Sequence, residues 1–552
     1  MNRKVLSVLI CALMLTALLP AFSFADDVVV VSGSAVNIGS ADELLAFAQK
    51  VNSGEQTDAE LVLTSDVTID GDYTPIGTEE NPFCGTFDGC GYTIEAQVEC
   101  DGFAGVFGCV SGAQIKNLSV AGIFAASGDY AGGVAAQAEN TVFEGCETAA
   151  TVGAENLAGG IAGFAENCEF NSCTADTGAY IVCYGEYAGG IAGKAVDCVI
   201  SDCVAGAYVE GNAYCGGIAG LSDGEIVSCV TSGTVLSEAE YVGGIAGEAS
   251  GSITACKNGA AVSALSKAGG IAGFTSEAVI TGCANLGDVT VSDDIVGGLC
   301  GIIGGGKVEN CYNAGDVTAP SGTRFAGIFS SLKDGTVSKC YNVGTVSGAC
   351  KTYPGIGYSV GGTVEYCYCP DTYNKLFISG SDPVIVSCAA LKDMTTAEGF
   401  EGFDFENDWS FITGHGYDYP VLGTLDYHTL TYIDTVAPTC VEKGYDDYAC
   451  SVCGAIVKLN TVDANGHSYE TMSYKAATCT EAGYGDYKCS VCNETYSEDY
   501  EATGHFDSDD DGKCDVCGEK LTEGEDDGLN IFEKIIKFFK DFFAWIKSLF
   551  TK

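Results

Sequence analysis

A glycine-rich motif recurs at a nearly constant interval through the middle of this chain of 552 residues. Seven segments share the pattern: YAGGVAAQA, LAGGIAGFA, YAGGIAGKA, YCGGIAGLS, YVGGIAGEA, KAGGIAGFT and IVGGLCGII. Their glycine pairs are spaced by 27, 30, 27, 27, 26 and 28 residues and begin at Gly132, Gly159, Gly189, Gly216, Gly243, Gly269 and Gly297. Such self-similarity is typical of a repeat fold in which each unit is stabilised by stacking on its neighbours.

Each unit contains short β-branched runs interrupted by glycine, asparagine and aspartate, without the apolar periodicity of a helix. Residues 241–268 divide into a strand around GGIAG, a second strand at 252–256 and a short third strand. Three strands per turn predict an all-β fold, a right-handed parallel β-helix that we place at residues 26–425. A short capping helix is expected to begin at Ser40. Stacking a dozen coils at the strand spacing of a parallel sheet gives a rod about 60 Å long.

One cysteine per unit falls at the same position of the repeat, among apolar neighbours. We expect an inward ladder of buried free thiols, because a small polarizable side chain fills a narrow core and stacked cysteines rarely reach the torsion of a disulfide. A row of metal-binding or redox-active thiols is the alternative. The ladder consists of Cys146, Cys173, Cys203, Cys229, Cys256, Cys283, Cys311, Cys340 and Cys367.

The chain is strongly acidic, with 75 acidic against 25 basic residues and a formal net charge of −50. This field repels nucleic acids and anionic polymers, so we exclude nucleic-acid binding. A β-helix lyase would need an arginine or lysine to abstract a proton, but after residue 25 the only arginine is Arg324. A hydrolase would need paired carboxylates in one cleft, and pairs such as Asp293 and Asp294 fall at turns. The zinc-protease motif HExxH is absent.

Residues 1–25 are typical of a signal peptide. A basic segment at 2–4 precedes an apolar core at 5–19 and a small-residue cleavage site at 23–25. We therefore expect the protein to be exported, to the extracellular space or the cell surface.

The glycine units, together with SADELL at 40–45, PIG at 75–77 and FCGTFDG at 83–89, resemble the GLUG-motif β-helix proteins of bacterial surfaces. The resemblance covers roughly residues 36 to 425 and departs at Cys90, where similar segments commonly have asparagine. It implies a β-helix found in adhesins and in the accessory regions of surface proteases, and it identifies no ligand.

A second repeat, at residues 426–520, is rich in cysteine and histidine. His428-x11-Cys440-x9-Cys450-x2-Cys453 is followed by the same spacing from His467 to Cys492, and a shorter third unit ends the segment. Three thiolates and one imidazole complete a tetrahedral zinc shell, so the three cysteines of a unit plus a histidine before or after them predict structural zinc. A disulfide-bonded surface repeat is the alternative. The expected ligands are Cys440, Cys450, Cys453, His467, Cys479, Cys489, Cys492, His505, Cys514 and Cys517.

The third unit also contains aspartates at positions one, three, five and nine of a calcium-binding loop. They are Asp507, Asp509, Asp511 and Asp515. Position twelve holds Gly518 in place of a bidentate glutamate, so the loop is partial. An acidic, solvated linker is the alternative.

The end of the chain consists of an acidic linker at 521–528 and an amphipathic segment at 529–552. Isoleucine and phenylalanine recur there at helical spacing, with lysines on the opposite side. A basic amphipathic helix of this kind binds an anionic membrane surface. Docking against a protein partner is the alternative. It explains the apolar face of the helix but not the lysines on the opposite face.

These features predict a non-catalytic scaffold, secreted or held at the cell surface, that adheres to a host or envelope glycan or protein. The alternatives are a glycan-active β-helix enzyme, either a polysaccharide lyase or a hydrolase, and the accessory region of a surface protease system.

Overall fold

A computed structural model describes residues 35–71, 73–238, 240–349, 353–373, 375–380, 384–410, 419–422, 430–450, 456–462, 464–509 and 511–521. The predicted signal peptide and the predicted amphipathic helix lie outside these residues. Among the residues described, none belongs to a helix with the length and apolar character of a membrane span.

The first part of the chain is a parallel β-solenoid, which confirms the predicted fold class. One coil contains five short strands: Tyr130–Gly132, Ala135–Glu139, Val142–Glu144, Glu147–Thr148 and Thr151–Ala154. Each strand pairs in parallel with its counterpart in the next coil. The expectation of three strands per turn is wrong, because tight corners divide the coil into shorter segments.

The strands form four sheets that run along the solenoid, numbered here in the order in which a coil visits them. Sheet 1 contains Phe103–Ala104, Tyr130–Gly132, Leu157–Gly159, Tyr187–Gly189, Tyr214–Gly216, Val242–Gly243, Lys267–Gly269, Ile295–Gly297 and Arg324–Ala326. Sheet 2 contains Phe107–Ser111, Ala135–Glu139, Ala162–Glu166, Ala192–Val196, Ala219–Ser222, Ala246–Ala249, Ala272–Thr275, Cys300–Ile303, Phe329–Leu332, Pro354–Val360 and Lys375–Gly380. Sheet 3 contains Val36–Ile38, Glu60–Leu63, Thr86–Asp88, Gln114–Lys116, Val142–Glu144, Glu169–Asn171, Val199–Ser201, Glu225–Val227, Ser252–Thr254, Val279–Thr281, Lys307–Glu309, Thr336–Ser338, Thr363–Glu365 and Val384–Val386.

Sheet 4 has two short strands in most coils and one strand in the first and last coils. It contains Val67–Thr68, Thr93–Cys100, Ser119–Ala126, Glu147–Thr148, Thr151–Ala154, Thr174–Ala175, Tyr180–Cys183, Val204–Ala205, Tyr208–Gly211, Val230–Thr231, Thr234–Ser237, Lys257–Asn258, Ala261–Ala264, Ala284–Asn285, Val289–Val291, Tyr312–Asn313, Val317–Ala319, Tyr341–Asn342, Val346–Gly348, Tyr368–Pro370 and Ala389–Leu391.

The predicted capping helix is present as α1, Ala41–Asn52, near the start of the solenoid. The side chain of Ser40 accepts a hydrogen bond from the backbone N–H of Glu43, as an N-cap residue does. The helix buries Phe47, whose ring lies 6.2 Å from the ring of Phe83. The helix therefore covers apolar side chains of the first coils.

The glycines of the repeat are required because neighbouring backbone segments, within a coil and in the next coil, approach them closely. A Cβ atom on Gly159 would lie 1.9 Å from the carbonyl oxygen of Ala162, and one on Gly160 would lie 2.1 Å from that of Gly190. None of the glycine pairs lies at positive φ. Sheets 1 and 2 thus fold sharply against one another, and any side chain at the glycine pair would force them apart.

The predicted cysteine ladder faces inward, and every cysteine whose side chain the structure describes is a free thiol. The backbone N–H of Cys229 donates to Sγ of Cys256 at 3.4 Å, and the N–H of Cys256 donates to Sγ of Cys283 at 3.4 Å. The thiol of Cys229 also lies 3.3 Å from the carbonyl oxygen of Val227. Each thiol therefore supplies hydrogen bonds at a corner where the strands are interrupted.

A second internal column, of asparagine, was not predicted. The side-chain amide of Asn258 donates to that of Asn285 at 2.7 Å, Asn285 donates to Asn313 at 2.6 Å, and Asn313 donates to Asn342 at 2.7 Å. All four are fully buried. A Cβ atom on Gly270 would lie 2.1 Å from Cγ of Asn285, so the column packs directly beneath the glycine pairs.

The chain then folds back onto the outside of the last coils. Tyr341 is fully buried, and its ring lies 5.5 Å from the ring of Trp409. Trp409–Ser410 pairs antiparallel with Val421–Leu422 beside it. The returning segment covers tyrosines that would otherwise face solvent.

Candidate metal centre

Two small antiparallel sheets correspond to the first two Cys/His units. The first contains Leu430–Val436, Gly444–Cys450 and Ile456–Val462, and the second contains Tyr469–Lys475, Gly483–Cys489 and Thr495–Tyr500. In the second unit, the connection between the first two strands carries Cys479. The turn between the last two strands carries the CxxC pair, and the histidine precedes the first strand. The histidine and the CxxC pair therefore lie at one end of the unit, and the remaining cysteine lies at the other end.

The first cluster consists of Cys440, His467, Cys489 and Cys492, whose ligand atoms all lie within 4.8 Å of one another. Sγ of Cys440 lies 3.8 Å from Sγ of Cys489, and Sγ of Cys492 lies 3.3 Å from Nδ1 of His467. Cys440 and Cys489 are buried, whereas Cys492 is exposed. The cluster thus combines one cysteine of the first unit with the histidine and CxxC pair of the second.

The second cluster repeats this arrangement one unit later, with Cys479, His505, Cys514 and Cys517. Sγ of Cys479 lies 3.7 Å from Sγ of Cys514, and Sγ of Cys517 lies 3.5 Å from Nδ1 of His505. Here the second unit contributes one cysteine and the third unit contributes the other three ligands.

Backbone hydrogen bonds hold both junctions in the same way. The N–H of Asn465, just before the second unit, donates to the carbonyl of Thr439 at 2.9 Å. The N–H of Thr503, just before the third unit, donates to the carbonyl of Thr478 at 2.9 Å. The cysteine-bearing connection of each unit is therefore fixed against the start of the next unit.

The CxxC turns stabilise thiolate at one cysteine of each cluster. In the first, backbone N–H groups, chiefly that of Cys492, lower the pKa of Cys489 to about 6. In the second, backbone N–H groups, chiefly that of Cys517, lower the pKa of Cys514 to about 5. Burial, together with the neighbouring thiols, raises the pKa of Cys440 to about 11. A cation at the centre would reverse this rise, because metal binding deprotonates its thiol ligands.

A glutamate beside each histidine belongs to the site, and the sequence reasoning missed it. Nε2 of His467 lies 3.1 Å from a carboxylate oxygen of Glu494, and Nε2 of His505 lies 3.9 Å from one of Glu519. At 3.1 Å, the Glu494 carboxylate is within hydrogen-bond distance, where such a group orients a ligating imidazole and fixes its tautomer, whereas Glu519 lies farther from its histidine. Each glutamate stands two residues after the last cysteine of its cluster, a CxxC-x-E signal that was visible in the sequence.

The clusters differ from the expectation that the three cysteines of one unit share a shell, because Cys440 lies with side chains of the second unit and Cys479 with side chains of the third. Of the ten expected ligands, eight form the two clusters. The side chains of Cys450 and Cys453 lie outside the described residues.

The predicted calcium loop is only partly assembled. Carboxylate oxygens of Asp507, Asp509 and Asp511 lie within 4.8 Å of one another, and repulsion from Asp511 raises the pKa of Asp509. Asp515 is not part of this group, because its carboxylate accepts hydrogen bonds from the backbone N–H and the hydroxyl of Ser508.

No protein-family model matches this chain, and no curated protein matches it. Among solved structures, the chain is similar to one described as "a putative immunoglobulin A1 protease from Bacteroides ovatus", with 16% sequence identity and a TM-score of 0.31. The similarity covers 71% of this chain and 93% of that chain. Similarity at this level assigns neither a family nor an activity to this chain.

Proposed function

We propose that this protein is a non-catalytic, exported scaffold of the cell surface, in which a β-solenoid rod binds glycans or proteins and a zinc-joined stalk follows the rod. The observation that carries the proposal is that each Cys/His cluster is shared between consecutive repeats. A metal held there would join the repeats into one unit, which suits a stalk between a binding rod and an anchoring segment. The GLUG-like repeats and the predicted signal peptide support the surface location.

The geometry of the clusters favours zinc. Four ligands at the corners of a tetrahedron, with zinc–sulfur bonds of about 2.3 Å, place two sulfur atoms about 3.8 Å apart. The sulfur pairs Cys440–Cys489 and Cys479–Cys514 lie 3.8 and 3.7 Å apart. The corresponding sulfur–nitrogen edge is about 3.6 Å, against 3.3 and 3.5 Å for the two cysteine–histidine pairs. In both clusters these two distances are close to the edges of a tetrahedral zinc shell, and the remaining ligand atoms lie within 4.8 Å of one another.

The donor set also favours a structural role. Three cysteines and a histidine would complete the zinc shell with protein ligands, whereas a catalytic zinc keeps a position for water or substrate. Zinc would supply the folding free energy that such small units lack. The aspartate group at 507–511 would bind calcium in the same stalk, with carboxylate oxygens as its ligands.

Metal analysis of the purified chain tests the stalk. We expect two zinc ions per chain and loss of the β-sheet signal of residues 426–520 on chelation. Metal-free protein with oxidised cysteines in these repeats would contradict the zinc assignment and favour the disulfide alternative. Addition of calcium should raise the melting temperature of wild-type protein but not of Asp509→Asn.

Binding of the intact protein to arrays of host glycans, mucins and matrix proteins tests the rod. We expect saturable binding and no turnover, so digests of pectin, mucin glycans and uronic-acid polymers should show neither new reducing ends nor unsaturated products. Turnover that one Asp or Glu substitution in the rod abolishes would establish the enzyme alternative.

Anchoring is tested by co-sedimentation with anionic vesicles. We expect full-length protein to pellet and protein lacking residues 529–552 to remain in solution. Equal pelleting of the two would contradict membrane anchoring. Loss of stability on truncation, without any change in vesicle binding, would favour docking against a partner.

A further inference from the structure

The outer corner between sheets 1 and 2 carries a row of aromatic side chains, which we name the seam. Two positions of each coil contribute to it: the residue in register with Tyr130, at the start of the sheet 1 strand or directly before it, and the third residue of the sheet 2 strand. Tyr187, Tyr214 and Tyr241 stack in the seam, with ring centroids 5.1 and 4.9 Å apart. Phe274 of sheet 2 lies 5.7 Å from Tyr241. Along these coils the seam is filled by rings that cover one another.

The stack is interrupted at one coil, where the sheet 1 position is Leu157. Leu157 lies in register between Tyr130 and Tyr187 and is buried. A surface cleft of about 260 Å³ opens above it. The ring of Phe164 forms part of the cleft and stacks on Tyr130 with a centroid distance of 5.7 Å. Because Tyr130 covers one face of this ring, the other face is turned toward the following coil, where Lys194 stands in register.

Three polar residues also line the cleft. They are Asp129, Asn156 and Glu186, which stand directly before the sheet 1 strands of three successive coils. The side-chain amide of Asn156 donates to the carboxylate of Asp129 at 2.7 Å. Carboxylate oxygens accept hydrogen bonds readily, and those to charged acceptors are stronger than neutral ones. The cleft therefore combines an aromatic side chain with strong hydrogen-bond acceptors.

From this arrangement we propose that the cleft binds one neutral pyranose residue of a glycan. Its C–H face would pack on Phe164, and its hydroxyls would donate to Asp129 and Glu186. The cleft is smaller than the roughly 300 to 1,000 Å³ typical of pockets for larger ligands, and the net charge of −50 repels acidic sugars. Lys194 also lines the cleft, with its ammonium 5.5 Å from the centroid of the Tyr187 ring, and this positive charge disfavours a basic peptide side chain. The inference rests on the proposed binding function of the rod and assigns its ligand class.

Ligand-observed NMR on the full-length protein tests the proposal. The probes are methyl α-mannoside, methyl β-galactoside and N-acetylglucosamine, compared with glucuronic acid and Nα-acetyl-lysine amide. We expect saturation transfer to at least one neutral pyranose, with affinity in about the millimolar range, and none to glucuronic acid. Absence of transfer to all three neutral sugars would overturn the proposal. So would stronger binding of the lysine derivative, which would assign the cleft to basic peptides.

Two variants localise the binding. Phe164→Ala should weaken it about tenfold or more, and Glu186→Gln, which keeps the shape of the side chain, should weaken it about tenfold. Phe274→Ala is the matched control, because Phe274 occupies the same position in sheet 2 at a coil outside the cleft. Melting curves establish that each variant is folded. Sugar binding unchanged in both cleft variants would overturn the assignment. If the two cleft variants lose sugar binding but still bind to the glycan and protein arrays, the proposed scaffold function stands. If wild-type protein binds nothing on the arrays, the scaffold function itself is contradicted.

Discussion

Replacing Cys440 with serine should remove one zinc ion and separate the first Cys/His unit from the second. Cys440 belongs to the first unit, but its sulfur lies among the ligands of the second, 3.8 Å from Sγ of Cys489. Structural zinc sites bind with about 10 to 16 kcal/mol, so an equal share for each of four ligands is about 2.5 to 4 kcal/mol. Cys440→Ser should therefore weaken the first site by about two to three orders of magnitude.

The measurement is competition with a chromogenic zinc chelator, followed by mass spectrometry of the intact protein. At a chelator strength that leaves wild type with two ions, Cys440→Ser should retain one, Cys479→Ser one and the double variant none. Limited proteolysis should also cut Cys440→Ser near residue 465. In wild type, the backbone hydrogen bond from Asn465 to Thr439 joins the two units at this point.

Cys450→Ser is the control that distinguishes cross-unit from within-unit ligation. Cys450 belongs to the same unit as Cys440, and each of the two clusters has four candidate ligands without it, so this variant should keep both ions. If Cys450→Ser loses the same ion as Cys440→Ser, the metal is held within one unit and the cross-unit account is wrong.

Four further predictions concern single groups. Glu494→Gln should lower the affinity of the first site about 10- to 100-fold, because the carboxylate orients His467, and the exposed control Glu470→Gln should leave it unchanged in the same chelator competition. Asn285→Ala should lower the free energy of unfolding in urea by about 2 to 4 kcal/mol, because it removes a partner from Asn258 and from Asn313; a loss below about 0.5 kcal/mol would show that the column contributes little. The buried thiols of the rod should react with a thiol reagent only after denaturation, since burial keeps the reagent away from them and, at Cys300, also raises the pKa to about 12; disulfides in denatured, unreduced protein would contradict the free-thiol ladder. The Arg324 guanidinium lowers the pKa of Asp294, so this exposed pair should add less than about 1 kcal/mol above the unfolded-state pKa and lose it as pH falls through the folded-state pKa; a difference between wild type and Asp294→Asn that grows toward low pH would contradict this.

The period of the glycine motif was sufficient to predict the solenoid. A spacing near 27 residues with β-branched runs predicts stacked coils, because stacking buries the apolar side chains of every unit. The constant position of Cys229 and its counterparts in the repeat predicts an inward column. The number of strands per coil was not predictable in the same way, because corner geometry depends on backbone approach, such as that between Gly160 and Gly190. The asparagine column could not be predicted from the sequence, because asparagine in a short segment such as Lys257–Asn258 is equally typical of an ordinary turn.

For the candidate metal ligands, sequence spacing alone does not determine which residues share one cluster. Residue types and intervals predicted Cys440 and Cys489 as ligands of three-thiolate, one-imidazole shells, and the structure brings both into one cluster. Their assignment to one shell depends on how the turn of one unit meets the start of the next. The contact between Cys440 and Cys489 joins residues 49 positions apart in the sequence, and no local sequence pattern predicts it. The fold-back of Trp409 onto Tyr341 is a similar long-range contact, set by the burial of aromatic side chains.

Zinc K-edge X-ray absorption of the full-length protein tests the central claim most directly. The account predicts two zinc ions per chain, each with three sulfur neighbours at about 2.3 Å and one nitrogen neighbour at about 2.0 to 2.1 Å. It also predicts that Cys440→Ser removes one ion and leaves the spectrum of the other unchanged. A shell of oxygen and nitrogen only, or protein without zinc whose repeat cysteines are disulfides, would contradict it.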